Sequence, residues 1–210
     1  ELNTDVLAFI TNNVRSSETV VGDLRAQFAA NHVGAERLRG ICAERDWDDL
    51  QIVADERITR SEALARAESA KIPNGIYARD VSIGIDNGED VTIGCKVTIT
   101  DEEIEIDFGG SSAQVKTAVN CTLTYTASYT TFAVNAMLDL PIKMNEGTLA
   151  PLTIKADPGS ILNCTFPAPV FARTSIGNYM AEIVFGTIAE AVPDRICAGA
   201  GSTPMWGQYF

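Results

Sequence analysis

Residues 81–108 read VSIGIDNGEDVTIGCKVTITDEEIEIDF, and the alternation in this stretch decides the fold. Val81, Ile83 and Ile85 alternate with Ser82 and Gly84. Val91, Ile93, Cys95, Val97 and Ile99 alternate with Thr92, Gly94, Lys96 and Thr98, and Ile104, Ile106 and Phe108 alternate with Glu105 and Asp107. A period of two puts the apolar residues of each run on one face, the pattern of a half-buried strand. Asp86-Asn87-Gly88 supplies a hairpin turn and Thr100-Asp101-Glu102 a second reversal. The stretch predicts a three-stranded antiparallel meander with one buried face.

Upstream of the meander the period is helical. Leu2, Val6, Phe9, Ile10 and Asn13 share a face of a short helix, and Arg15-Ser16-Ser17-Glu18 breaks it. Leu24, Phe28, Ala35, Leu38 and Cys42 then recur at steps of three, four or their sums. Asp23 stands just before that stripe and reads as an N-cap or first-turn acid. Asp48 to Lys71 reads as one exposed helix or two, with Glu62 and Arg66 at ion-pair spacing, and Pro73-Asn74-Gly75 ends the helical part. Downstream, Gly109-Gly110-Ser111-Ser112 breaks the meander, and residues 120–138 read as a buried helix despite their Thr and Val content. Leu152-Thr153-Ile154 and Ser160-Ile161-Leu162 read as short strands about Asp157-Pro158-Gly159. Ile176, Tyr179, Met180, Ile183, Val184, Ile188 and Ala191 form the stripe of a last helix that Pro193 stops. The expected class is α+β: N-terminal helices, an antiparallel β-meander, then buried helices with short strands. A helical segment over 1–72 and an α+β segment over 73–210 are the expected organisation.

The 210 residues carry a net charge of −12, which argues against nucleic acid as a partner, because phosphate binding needs clustered Lys and Arg. No apolar run reaches the length of a membrane span, and no signal peptide is visible. Cys42, Cys95, Cys121, Cys164 and Cys197 include no CxxC pair, so a zinc knuckle or redox dithiol is not indicated. Most read as small buried hydrophobes in a reducing, cytoplasmic compartment. The Asn-Cys-Thr triplets at Asn120 and Asn163 match the glycosylation pattern only formally. A start on Glu1 inside a helical pattern and an end on Trp206-Gly207-Gln208-Tyr209-Phe210 are what an internal piece of a longer chain would show.

Chemistry is sparse in the residues themselves. His32 is the one histidine, so a histidine-rich metal site cannot form from this chain alone. Asp46/Asp48/Asp49 and Asp101/Glu102/Glu103/Glu105 read as solvated faces or turns. No GxxxxGK[ST], strand-linked GxGxxG or GxSxG occurs, and Gly199-Ala200-Gly201 is only a faint echo of a nucleotide loop. Gly109-Gly110-Ser111-Ser112-Ala113-Gln114 is the best local candidate for a functional loop: glycine lets backbone N–H groups approach a ligand, and hydroxyls add donors and acceptors. A strand-ending turn is the structural alternative.

Gly22-Asp23-Leu24-Arg25-Ala26-Gln27-Phe28-Ala29-Ala30, with Gly34 and Arg37-Leu38, resembles the GDLxAQxAAxxxGxxRL signature of the hydantoinase B family, with Asn13 and Arg15 as the preceding Asn-x-Arg element. Residues 107–115, DFGGSSAQV, are similar to its DFxGSSxQ block, with Asn120 at the later asparagine. Asn145-Glu146-Gly147, Pro158-Gly159-Ser160-Ile161-Leu162-Asn163 and Pro167-Ala168-Pro169-Val170 with Arg173 match a further run in order. Cys164 stands where the family usually has proline, and Lys116-Thr117-Ala118 replaces a glycine-containing step. The resemblance implies part of a B-type subunit of an ATP-dependent cyclic amide hydrolase. An A-type partner that binds ATP would phosphorylate the small-molecule substrate. A ketone carboxylase subunit or a non-catalytic scaffold and interface segment are the alternatives. It further implies a divalent metal and ATP in the full complex, held by the partner and by the remainder of the B-type chain. Asp23, Gln27, Ser111, Ser112, Asn120, Asn145 and Arg173 are the residues expected to line or support the site. Asp23 reads equally as a cap, and Arg173 as a reader of an acidic substrate or phosphate or as the partner of a structural carboxylate.

Overall fold

The computed structural model describes residues 3–85, 88–196 and 199. Its contacts divide the chain into two compact units, Glu1–Ala54 and Asp55–Phe210.

The first unit is built on α1 (Thr4–Asn12) and α2 (Ser17–Arg45). The Asn3 side chain caps α1 by accepting the Asp5 and Val6 N–H groups at 3.0 and 3.1 Å, with Asp5 complementing the positive end of the helix. Asp46 ends α2 in the left-handed region, its N–H returning to the Cys42 carbonyl. Two expectations change here. Asp23 is neither cap nor first-turn acid: it lies inside α2, and Ser16 holds the capping position without a side-chain cap bond. The apolar stripe of α2 is helical but uncovered: no described residue of α1 or α2 is buried, and Phe28 and Leu38 are 49% and 50% exposed. Periodicity reports that an apolar face exists, and only a neighbour can bury it. Leu2 lies outside the described residues.

The helix α3 (Leu50–Ser69) is a single helix; Asp49 accepts the Gln51 N–H at 2.8 Å at its start. From Asp55 onward it counts with the second unit. There the meander forms as predicted, as β1 (Gly75–Gly84), β2 (Asp90–Thr100) and β3 (Glu103–Asp107). Val81 pairs with Ile93, and Val97 with Ile106, in antiparallel register. Asp86 and Asn87 of the first turn lie outside the described residues. In the second, Asp101 is left-handed and is clasped by the Asn74 side chain, which gives Nδ2–H to Oδ1 at 3.0 Å and accepts the Asp101 N–H at 2.8 Å. Of the acidic cluster here, Asp101 and Glu102 make the turn, while Glu103 and Glu105 stand on β3 and pair with Arg66 and Lys155.

The chain continues through α4 (Leu123–Leu138), α5 (Glu146–Leu149), β4 (Leu152–Lys155), α6 (Thr174–Ile188) and a 3-10 turn (Pro193–Arg195). The sheet order is β1-β2-β3-β4, and β4 joins β3 in parallel. Helices α4 and α6 pack together, and α6 contacts β1 and β2. Ile93, Ile106, Phe108, Met137, Ile176, Met180 and Ile188 belong to one buried cluster. The threonines that weaken α4 as an isolated helix are satisfied inside it: Thr130 Oγ1 donates to the Thr126 carbonyl at 2.8 Å, and Thr126 Oγ1 to the Leu162 carbonyl at 2.7 Å. Ser160-Ile161-Leu162 is not a strand. Ser160 makes isolated bridges to Ala113 and Asn163, while Ile161 and Leu162 turn inward and are wholly buried. A short apolar run fits a buried turn as well as a strand, and here the loop contacts chose the turn.

Candidate functional site

The site region is two loops laid against each other, residues 108–121 and 156–173. The first begins where β3 ends. Asp107 accepts the Gly109 N–H at 2.8 Å and pairs with Lys96 at 3.1 Å. The Gly109 N–H, then Lys96, hold its carboxyl below the usual range, against the opposing effect of burial. Gly110 at φ +80° lets the chain reverse. Both serine hydroxyls are then consumed by β2. Ser111 Oγ donates to the Phe108 carbonyl at 2.7 Å and accepts the Gly94 N–H at 3.1 Å, and Ser112 Oγ accepts the Thr92 N–H at 2.9 Å. These serines act as struts between the loop and β2.

Asn120 ties the two loops. It is fully buried; Oδ1 accepts the Val115 N–H at 2.8 Å, and Nδ2 reaches the carbonyls of Val115, Thr117 and Pro169 at 2.8, 3.0 and 2.9 Å. Such burial leaves no room for a glycan at this Asn-Cys-Thr triplet. Gln114 makes a second tie, its Oε1 accepting the Thr165 N–H at 2.7 Å. Backbone bonds close the seam: Cys121 N–H to the Ile161 carbonyl, Cys164 N–H to the Cys121 carbonyl, and Ala172 N–H to the Ala118 carbonyl. Cys121 is buried, and burial first of all pushes its thiol up to about 12, so it is a packed group and not a thiolate at neutral pH. Burial likewise pushes Cys95 up to about 11.

Arg173 stands at the end of the second loop, just before α6, and is exposed. Its Nη1 donates to the Val170 carbonyl at 3.2 Å, and its Cζ lies 5.2 Å from the Tyr125 ring centroid. Tyr125 stacks on Tyr129 at 4.9 Å. Burial, then the Tyr129 phenol, push the Tyr125 phenol up; its buried hydroxyl closes no well-formed hydrogen bond. A Cβ at Gly177 would overlap the Tyr125 ring, so the ring depends on a bare backbone in α6.

Ser111, Ser112, Asn120 and Arg173 thus come together in one bonded pair of loops. Asn145 serves elsewhere: it caps α5, accepting the Gly147 N–H at 2.9 Å, and its Nδ2 donates to Ser61 Oγ on α3 at 2.8 Å. Asp23 and Gln27 lie exposed on α2 in the first unit. Tyr125, Tyr129 and Gly177 were not among the expected site residues. The i, i+4 spacing of the tyrosines and a glycine inside a helical stripe were the available signals.

The described residues do not by themselves fit a metal. Among the described residues no three His, Cys, Asp or Glu side chains come together in a group able to hold one. His32 is exposed on α2. No helix among them is long and apolar enough to cross a membrane. Cys197 and the glycines and aromatics from 201 onward lie outside the described residues, as does Ala200 of the faint nucleotide-loop echo.

This arrangement, signature blocks spent on holding loops together, has a family behind it. The family sequence model described as Hydantoinase B/oxoprolinase matches residues 1–209, and the chain belongs to that family. It is 29% identical over 213 residues to the B-type subunit of a putative D-/L-hydantoinase from Pseudomonas sp. (strain NS671), covering 95% of this chain and 36% of that protein. In structure it resembles the ATP-dependent caprolactamase of Pseudomonas jessenii (TM-score 0.81, 22% identity, 93% of this chain and 34% of that one). It also resembles a nucleotide-free acetone carboxylase (TM-score 0.75, 18% identity, 93% and 28%). The chain spans about a third of the length of the hydantoinase relative it matches.

Proposed function

We propose that this chain is part of the B-type subunit of a cytoplasmic, ATP-dependent cyclic amide hydrolase, acting on a small substrate that an A-type partner phosphorylates. The observation that carries the reading is the bonding of two signature blocks, residues 107–120 and 158–173, into one scaffold through the buried Asn120. In this reading the chain's own residues shape and hold the site. Asn120, Gln114, Ser111 and Ser112 fix the loops, and Arg173 presents a cation at their edge. In this reading metal and ATP are held by the A-type partner and the remainder of the B-type chain, and no step is drawn through either. Asp23 and Gln27, in the helical signature, are kept as candidates for contact with those other parts.

A further role as a contact surface has its own support. Phe166-Pro167-Ala168-Pro169-Val170-Phe171 carries no polar side chain, yet Phe166 is 99% and Phe171 82% exposed on a loop anchored by Asn120 and Gln114. An apolar run with exposed and half-buried residues on a fixed loop suits an interface with another chain.

The test is reconstitution of this chain with the remaining B-type sequence and an A-type partner. ATP-dependent opening of a hydantoin, 5-oxoproline or lactam is expected, and its loss with Asn120→Ala. ATP-dependent incorporation of bicarbonate into a ketone, with no ring opening, would replace the hydrolase reading with the carboxylase one.

A further inference from the structure

We infer that Arg173, seated on Tyr125, is a carboxylate-reading site for an organic acid whose apolar stem lies along the Tyr125–Tyr129 pair. The inference takes from the proposed function only that this loop edge faces a small substrate; binding itself needs no catalysis.

The guanidinium is held before any ligand arrives. Ala172 N–H donates to the Ala118 carbonyl at 2.7 Å and Cys121 Sγ lies 3.5 Å from the Arg173 carbonyl, so the backbone beneath Arg173 is fixed. Its side chain is fixed by the Val170 carbonyl and by the Tyr125 ring. That ring packs in turn against Tyr129 and the bare backbone of Gly177. Pre-organisation of this kind removes most of the ordering cost that a flexible surface cation pays on binding. An arginine carries five N–H donors, and among the described residues one hydrogen bond engages them here. The residue is exposed, so the rest of the fork is open to solvent.

The fork matches carboxylate and phosphate alike. The surroundings favour the carboxylate. Tyr129 is half-buried beside Tyr125, which gives an organic stem apolar surface to cover. Free phosphate has no stem, and gains nothing from the rings.

The test is a titration of the 210-residue chain with butyrate, and separately with inorganic phosphate, following the Arg173 Nε–Hε resonance by NMR. Butyrate should shift it saturably, with affinity on the order of millimolar, and phosphate should bind more weakly. Arg173→Lys, an exposed change that leaves the fold intact, should weaken butyrate binding about tenfold by losing the planar fork. Tyr125→Phe, which keeps the ring, should bind as the parent does, and Tyr125→Leu should bind several-fold more weakly. The inference is overturned by an absence of saturable shift, by phosphate binding as tightly as butyrate, or by Arg173→Lys binding as well as arginine. Failure here with successful reconstitution leaves the hydrolase reading standing. Binding here with failed reconstitution removes that reading and keeps the site.

Discussion

Asn120 shows how one side chain can carry a loop architecture. It replaces four backbone partners that two turning segments cannot supply to each other, in a buried place. Asn120→Ala should cost about 3–5 kcal/mol, because it strands buried N–H and C=O groups as well as removing bonds. Urea denaturation measures this, and a loss below about 1 kcal/mol would contradict the role. Asp107 offers a pH test. Its folded pKa is depressed, so its stabilisation is complete above the unfolded value of about 3.9 and fades as pH falls through the lower folded value. Asp107→Asn should therefore be less stable than the parent at neutral pH by about 1–2 kcal/mol. The two denaturation midpoints should converge on acidification below that value; a gap that persists in acid would mean the carboxylate charge is irrelevant.

Among the described α-helices, α5 is the shortest. Asn145 and Thr148 form a reciprocal capping box, and Gly147 is in such close contact with the Ile58 carbonyl of α3 that a Cβ there would overlap it. Asn145→Ala should lower stability by about 1–2 kcal/mol, and more than Asn145→Asp, which keeps the capping oxygen but loses the donor to Ser61. Thermal melts of the two variants decide it. Equal losses would place the whole effect in the Ser61 bond. The sheet, α4 and α6 were legible because their apolar positions recur at fixed periods. Loop 156–173 was not, because its order comes from Asn120, Gln114 and Cys121, which reach it from far along the chain in bonds such as Asn120 to Pro169 and Gln114 to Thr165.

At the scale of the molecule the two units differ in kind. The second has a buried core of strands and helices. The first carries Phe9, Phe28, Val33, Leu38 and Ile41 at 71%, 49%, 48%, 50% and 43% exposure. Exposed apolar surface on that scale drives association. The chain on its own should self-associate as concentration rises, and the double change Phe28→Glu, Leu38→Glu should shift it toward monomer, read by light scattering behind a sizing column. A chain that stays monomeric throughout would show the stripe to be too dispersed to act as one face.

What the sequence determined by itself was periodic or motif-borne: the antiparallel meander, the helices and the family. Local chemistry fixes a period, and a signature block needs no coordinates to be seen. The tertiary structure decided the rest. It placed Asp23 inside a helix and not at its cap, left the α2 stripe bare, turned residues 160–162 inward, and seated Arg173 on the Tyr125 ring. Each of these depends on which distant surface meets the residue, and a period along the chain carries no record of its neighbours in space.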